Sequence, residues 1–189
     1  MGNREDLLAG ARKVILERGV AKATARDIAA AAGVSLAAIG YHFGSKDRLV
    51  TQALSEALGN SMGDAMDELI AAGAGKSPLE GLVELWNGMP AVFAGNHEAM
   101  LASLENIVRI VRSEQARAQL GDQLAGAYTD LAVNVAAAHP ELDEAQAAAI
   151  GRLYFVLAQG LGVLWLLDPG AVATDGDQLA TAVAALAGK

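Results

Sequence analysis

Hydroxyl, guanidinium, phenol, imidazole and ammonium groups recur at short intervals in one stretch of this chain: Thr24, Arg26, Ser35, Tyr41, His42 and Lys46. Side chains of these types donate hydrogen bonds to phosphate oxygens and to base edges, so their clustering points to a polynucleotide as partner. Catalysis has much weaker support. The chain has no cysteine, and its three histidines (His42, His97, His139) are far apart with no metal-ligand spacing. No glycine-rich phosphate loop follows a strand. The expectation is a protein that is not an enzyme and carries no cofactor and no metal.

The elements that must hold these donors are legible in the same stretch. Thr24 is suited to cap a helix running to about Ala32, with Asp27 in its first turn, where a carboxylate suits the helix dipole. Gly33 can take the left-handed conformation that a sharp turn demands. Ser35 is expected to cap a second, short helix, and Ser45 the next one. Ile28, Ala29, Ala32, Val34, Ile39 and Phe43 supply the buried side, and Ala29 is small enough for two helices to cross closely. Two short helices about a glycine turn make the layout of a DNA-binding helix-turn-helix. The second helix carries Leu36, Ala37 and Ala38, which can offer apolar contact to thymine methyls but no bidentate base contact. Base hydrogen bonds then fall to Ser35 and Arg26, supplemented by readout of DNA shape.

These residues resemble the TetR family of bacterial transcriptional regulators. The resemblance rests on Thr24, Ile28, Ala29, Ala32, Gly33, Val34, Ser35, Tyr41, His42, Phe43, Ser45 and Lys46, followed by Leu49, and covers about residues 4–54. It implies a three-helix head that docks on double-stranded DNA, and a variable helical body that binds an effector and forms a homodimer. Tyr41 and His42 then close the recognition helix as phosphate contacts, against the plainer reading of a packed aromatic and a surface histidine. Lys46 becomes a phosphate contact rather than a solvated lysine. Thr24 is a backbone contact or only a cap. One departure stands out: members commonly carry a bulky residue where this chain has Gly40. That glycine either removes a backbone contact or lets the helix approach the duplex closely.

Composition agrees with such a division of labour. Of 189 residues, 53% are hydrophobic and only 4% aromatic, with four prolines and no hairpin signal, so the chain reads as all-α. The net charge of −8 looks wrong for a DNA binder. Residues 1–50, however, hold eight basic and five acidic side chains, a net +3, and the remainder is net −11. A basic head on an acidic body suits docking by one end. The N-terminus reads as no secretory signal. The longest uncharged apolar run, residues 153–167, is shorter than the roughly 20 residues of a spanning helix, which predicts a buried core helix and a cytoplasmic protein without membrane contact.

About nine helices are expected: 4–18, the helix-turn-helix pair to about 44, a long connecting helix from 46 to about 72, then 78–95, 97–112, 114–138, 143–167 and 176–187. The apolar stripe of the connecting helix includes Leu49, Val50, Leu54, Leu58, Met62 and Met66. The domain reading is a DNA-binding head over 1–46 and an effector-binding and dimerisation body over 47–189.

Within the body, Met62, Met66, Trp86, Met89, Phe93, Met100, Leu104, Tyr128 and Phe155 are candidates for an apolar effector pocket, with Asn87, Glu105, Asn106 and Gln159 as polar groups. The competing reading is plain core. Small residues at spacing four on 143–167 permit close helix contact. With the last helix they nominate a dimer interface of Gly151, Ala158, Leu161, Gly162, Trp165, Leu179, Val183 and Leu186, or else intrachain packing. Gly59 and Gly63 interrupt the connecting helix, as a hinge or to admit a neighbouring helix. The resulting expectation is a ligand-responsive repressor released from an inverted-repeat operator by a small, apolar effector. The rival is a helical interaction module that has lost specific DNA binding.

Overall fold

The computed structural model describes residues 3–170 and 175–188, without the side chains of Leu58 and Asn60. Leu58 of the expected apolar stripe therefore lies outside the described side chains. Nine α-helices and no strands occur among the described residues: α1 (Asn3–Arg18), α2 (Ala25–Ala32), α3 (Leu36–Phe43), α4 (Lys46–Ala72), α5 (Pro78–Gly95), α6 (His97–Val111), α7 (Glu114–Ala138), α8 (Glu144–Leu167) and α9 (Gly176–Leu186). Their limits follow local chemistry. Ser77 caps α5 reciprocally with Glu80, and Pro78 occupies the first turn, where its missing N–H costs nothing. Asp143 caps α8 in the same reciprocal way with Gln146. Pro140 follows closely on the end of α7.

The chain forms two compact units, one of Met1–Ser61 with Glu98–Leu120, the other of Met62–His97 with Gly121–Lys189. This partition by packing differs from the sequence-based division at residue 46, because the start of α4 and nearly all of α6 pack with the first three helices.

In the first unit, α1 lies across α2 and α3. Leu7, Leu8, Ala11, Val14, Ile15, Ile28, Ala29, Ile39, Phe43, Leu49 and Val50 form its core, and Ala102 of α6 joins them. The tightest crossing is made at Gly10, a position that sequence reasoning did not single out. A Cβ there would stand 2.9 Å from the Ala32 nitrogen and 3.0 Å from the Ile28 oxygen, so only glycine fits without moving backbone. The Arg4 guanidinium covers the Phe43 ring at 5.5 Å.

A partly buried polar cluster joins α6 to the start of α4. Arg109 bonds Asp47 Oδ1 through Nη1 at 3.0 Å, and through Nη2 donates to Thr51 Oγ1 at 2.7 Å and to the Asp47 carbonyl at 3.0 Å. Its Nε donates to Asn106 Oδ1 at 2.9 Å. Thr51 and Asn106 are buried, and the guanidinium satisfies both. Beside this cluster, the Val20 N–H donates to Glu105 Oε2 at 3.2 Å.

The second unit packs Leu82, Leu85, Met89 and Phe93 of α5 with Leu131 and Val135 of α7 and Tyr154, Ala158 and Leu161 of α8. Burial pushes the Tyr154 phenol up to about 12. A Cβ on Gly81 would meet His139 Nε2 at 2.9 Å, and one on Gly176 would meet Asn87 Oδ1 at 2.9 Å. These two glycines seat the buried His139 and the start of α9. The helix 143–167, expected to be buried, is buried on one face only. It is long and apolar enough to cross a membrane by composition, yet just 28% of its most apolar window lies inside the fold.

Candidate nucleic-acid interface

The head presents its donors on a rigid frame. Thr24 has extended backbone and caps α2: its Oγ1 accepts the Asp27 N–H at 3.1 Å and donates to Asp27 Oδ2 at 2.6 Å, while the Thr24 N–H reaches the same carboxylate at 3.3 Å. The Thr24 hydroxyl bond is the chief reason the Asp27 carboxyl sits below its ordinary range, helped by Thr24's own N–H and by Arg18, whose Nη1 lies 3.1 Å from Oδ1. Thr24 is thus committed to the cap. Gly33 closes α2 in the left-handed region at φ 67°, as the turn requires.

Ser35 departs from expectation. It occupies the N-cap position of α3 with φ −70° and ψ 149°, but its hydroxyl makes no capping bond. The Ala38 N–H, which such a cap would take, donates to the Ser35 carbonyl at 3.1 Å instead. The side chain stays exposed. Ser45 does cap α4, accepting from the Arg48 N–H at 3.2 Å.

On the outer face of α3, Ser35, Leu36, Ala37, Gly40 and Tyr41 are exposed, and Tyr41 is 86% accessible. A phenol left that open gains no packing energy, so the plain reading of Tyr41 as a packed aromatic does not hold. Ala38 must be corrected: it is 8% exposed and belongs to the head core, so it has no surface to offer a base. His42 is half-buried, edge-on to Tyr41 with ring centres 4.9 Å apart. Arg26 is exposed on α2. The Lys46 ammonium donates to the Ala23 carbonyl at 3.0 Å, which ties it to the loop before α2 and leaves two of its three protons for another acceptor. A Cβ on Gly40 would meet nothing within 4 Å.

The residues nominated for an effector pocket fall in both units. Met62, Met66, Trp86, Met89, Phe93, Tyr128 and Phe155 belong to the second unit, whereas Met100 and Leu104 belong to the first. Met66, Met89, Phe93 and Met100 are buried and serve as core. Tyr128 and Phe155 form an edge-on pair at 5.1 Å, with Arg152 over the Tyr128 ring at 5.5 Å. Of the polar groups, Asn106 is bound to Arg109, Glu105 accepts the Val20 N–H, and Asn87 accepts the Gly176 N–H at 2.9 Å. These three are structural. Arg109 and Thr51, which complete the α4–α6 cluster, were missed, since neither carries a local motif.

The nominated dimer residues also divide. Gly151, Ala158, Leu161 and Gly162 are buried within the chain, and a Cβ on Gly151 would meet the α7 backbone at Leu131 and Ala132 at 3.1 Å. Trp165 packs on Phe93 with ring centres 6.0 Å apart. The small residues therefore serve intrachain packing. Leu179 and Val183 are half-buried and Leu186 is 90% exposed. The open face of α8 carries Leu153, Val156, Val163, Leu164 and Leu167 instead. Among the described residues, nothing stands within 4 Å of a Cβ placed on Gly59 or Gly63.

A cap, a left-handed glycine turn and a short helix with an open polar-apolar face define the class: a helix-turn-helix head. Residues 7–53 match the sequence profile of bacterial regulatory proteins of the tetR family. Over this segment the chain is similar to the TetR family. It is 32% identical over 115 residues to the HTH-type transcriptional repressor KstR2 of Rhodococcus jostii (strain RHA1), covering 60% of this chain and 54% of that one. The chain thus spans about half the length of that relative. Two solved structures share the fold. A Rhodococcus sp. chain assigned to TetR-family transcriptional regulators superposes with TM-score 0.66 at 23% identity, over 98% of both chains. The multidrug binding protein EbrR, complexed with imidazole, superposes with TM-score 0.62 at 21% identity, over 95% of this chain and 86% of that one.

Proposed function

We propose that this chain is a DNA-binding transcriptional regulator, not an enzyme, that acts in the cytoplasm as a homodimeric repressor on an inverted-repeat operator and is released by a small-molecule effector. The observation that carries the reading is the open face of α3, where Ser35, Leu36, Ala37 and Tyr41 stand exposed on a helix fixed by Phe43 and Ile39. On DNA, Tyr41 and Lys46 meet phosphates, Leu36 and Ala37 meet thymine methyls, and Ser35 and Arg26 supply base-edge hydrogen bonds. His42 supports Tyr41. A two-fold dimer places two heads on one palindrome. The exposed apolar residues of α8 together with Leu186 of α9 are its natural contact.

Repression is supported by the printed description of the relative as a repressor, and ligand response by a structural neighbour crystallised with imidazole. The helix breakers Gly59 and Gly63 bracket Ser61–Met62, where the two units part within α4, a fitting place for a hinge. Selection of preferred sites from a random double-stranded DNA pool at near-physiological salt tests the reading. An enriched inverted repeat is expected. No enrichment, repeated after refolding to strip bound ligand, would sink it and favour a helical interaction module without DNA specificity.

A further inference from the structure

The first unit contains a half-open cavity of about 590 Å³, of whose lining the DNA-binding reading uses only Lys46. Its size lies inside the roughly 300–1,000 Å³ range of small-molecule sites. Val20, Val50 and Val108 make its lining apolar, and Lys46, Arg109 and Arg112 bring cations to it. Two carboxylates also line it, and both already serve the protein: Asp47 is paired with Arg109 at 3.0 Å, and Glu105 accepts the Val20 N–H. Arg109 is spent on Asp47, Thr51 and Asn106. The donors left over belong to Lys46, which gives one N–H to Ala23, and to Arg112, whose side chain makes no hydrogen bond or ion pair among the described residues.

We infer that this cavity binds a small amphipathic anion, a carboxylate with a short aliphatic tail, whose head group meets Arg112 and Lys46 and whose tail lies along Ala21 and Val108, above the buried Val20 and Val50 of the lining. Charge selects the head: three cations face two carboxylates in the lining, and the surplus sits on the side chains with unused donors. Val108, 56% exposed, and the exposed Ala21 select the tail, since a bare inorganic anion or a phosphodiester would leave them uncovered, while Val20 and Val50 already belong to the buried core. Arg112 supplies a planar fork that can take both oxygens of a carboxylate, which a lysine cannot do. The site lies wholly within the unit that carries the head, and of the pocket residues nominated from sequence only Glu105 lines it.

Methyl-labelled valine in the full chain gives the test, with octanoate as probe and octanol and acetate as controls. Octanoate is expected to move the Val20, Val50 and Val108 methyl resonances saturably, and each control to bind at least about tenfold more weakly, because each lacks one of the two selecting interactions. Arg112→Gln, at an exposed position, should weaken octanoate about fivefold to tenfold while leaving the spectrum of the free protein intact. Val108→Asp should do the same from the apolar side. Saturable shifts confined to valines of the second unit, equal affinity in Arg112→Gln, or no shift at these three valines would overturn the proposal. The readout contains no DNA, so its failure leaves the DNA-binding reading untouched.

Discussion

The same chemical change, glycine to alanine, should have opposite effects at two positions in the head. Gly40 lies inside the eight-residue helix α3 with open space where its Cβ would be. Alanine there gains helix propensity of roughly 1 kcal/mol with no steric debt. A chain of this size shifts its melting temperature by about 2–4 °C per kcal/mol, so Gly40→Ala should melt about 2–4 °C higher. At Gly10 the same propensity gain meets the Ala32 nitrogen at 2.9 Å and the Ile28 oxygen at 3.0 Å. Both atoms are backbone, so relief requires α1 to move off α2. Overpacking of this kind costs about 1–3 kcal/mol, or more where backbone must shift. With both neighbours backbone, the cost falls in the upper part of that range, about 2–3 kcal/mol, so the net for Gly10→Ala is a loss of about 1–2 kcal/mol once the gain of about 1 kcal/mol is subtracted. Urea unfolding followed by far-UV circular dichroism, at constant m, measures both. Because Trp86 and Trp165 lie in the second unit, tryptophan fluorescence would follow the wrong core. A Gly10→Ala protein as stable as the parent, or a Gly40→Ala protein less stable, would refute this account of head packing. The stabilised Gly40→Ala protein also separates the two readings of that position on DNA: undiminished affinity excludes close backbone approach to the duplex.

Tyr41→Ala should weaken binding to all DNA sequences alike and shallow the salt dependence of affinity, as loss of a phosphate contact does; unchanged affinity and slope would place Tyr41 off the DNA. Val156→Asp on the open face of α8 should leave the fold intact and shift light scattering from dimer to monomer, whereas an unaltered dimer would move the interface elsewhere. The Asp27 and Glu80 carboxyls are held below their ordinary values of 3.8 and 4.5, chiefly by the hydroxyls of Thr24 and Ser77. Their contribution is therefore complete above the unfolded values and lost as pH falls through the lower folded ones. Acid titration of Thr24→Ala and Ser77→Ala should show a flatter loss of stability below about pH 4.5 than the parent shows; an identical acid limb would contradict the capping geometry. Gly59→Ala with Gly63→Ala should stiffen α4 and blunt effector release without loss of DNA affinity, and normal release would end the hinge reading.

The helices were legible because their ends carry local chemistry. Thr24 caps where expected, Ser77 and Asp143 cap α5 and α8, and Pro78 and Pro140 fall where backbone geometry demands. The head was legible for a further reason: its motif prescribes both spacing and residue type. Where the reading failed, the missing information was rotational. Helix α8 is apolar on both sides, so its sequence has no period to say which stripe faces inward, and Gly151, offered for a dimer seam, lies against α7. Ala38 failed in the same way, since one alanine of a run looks like another until α3 is set on its core. The Arg109 cluster was illegible because Asp47, Thr51, Asn106 and Arg109 come from two helices distant in sequence.

The interleaving of the two units has an evolutionary consequence. Segments 1–61 and 98–120 share a core, and segments 62–97 and 121–189 share the other. A single crossover that grafted a new N-terminus onto this body would leave the incoming head with a foreign α6, lacking a matched Arg109 for its Asp47 and a matched Glu105 for the turn at Val20. Heads and bodies of this build should diverge together by paired substitution, and recombinants that endure should carry exchanges on both sides of the 62–97 segment.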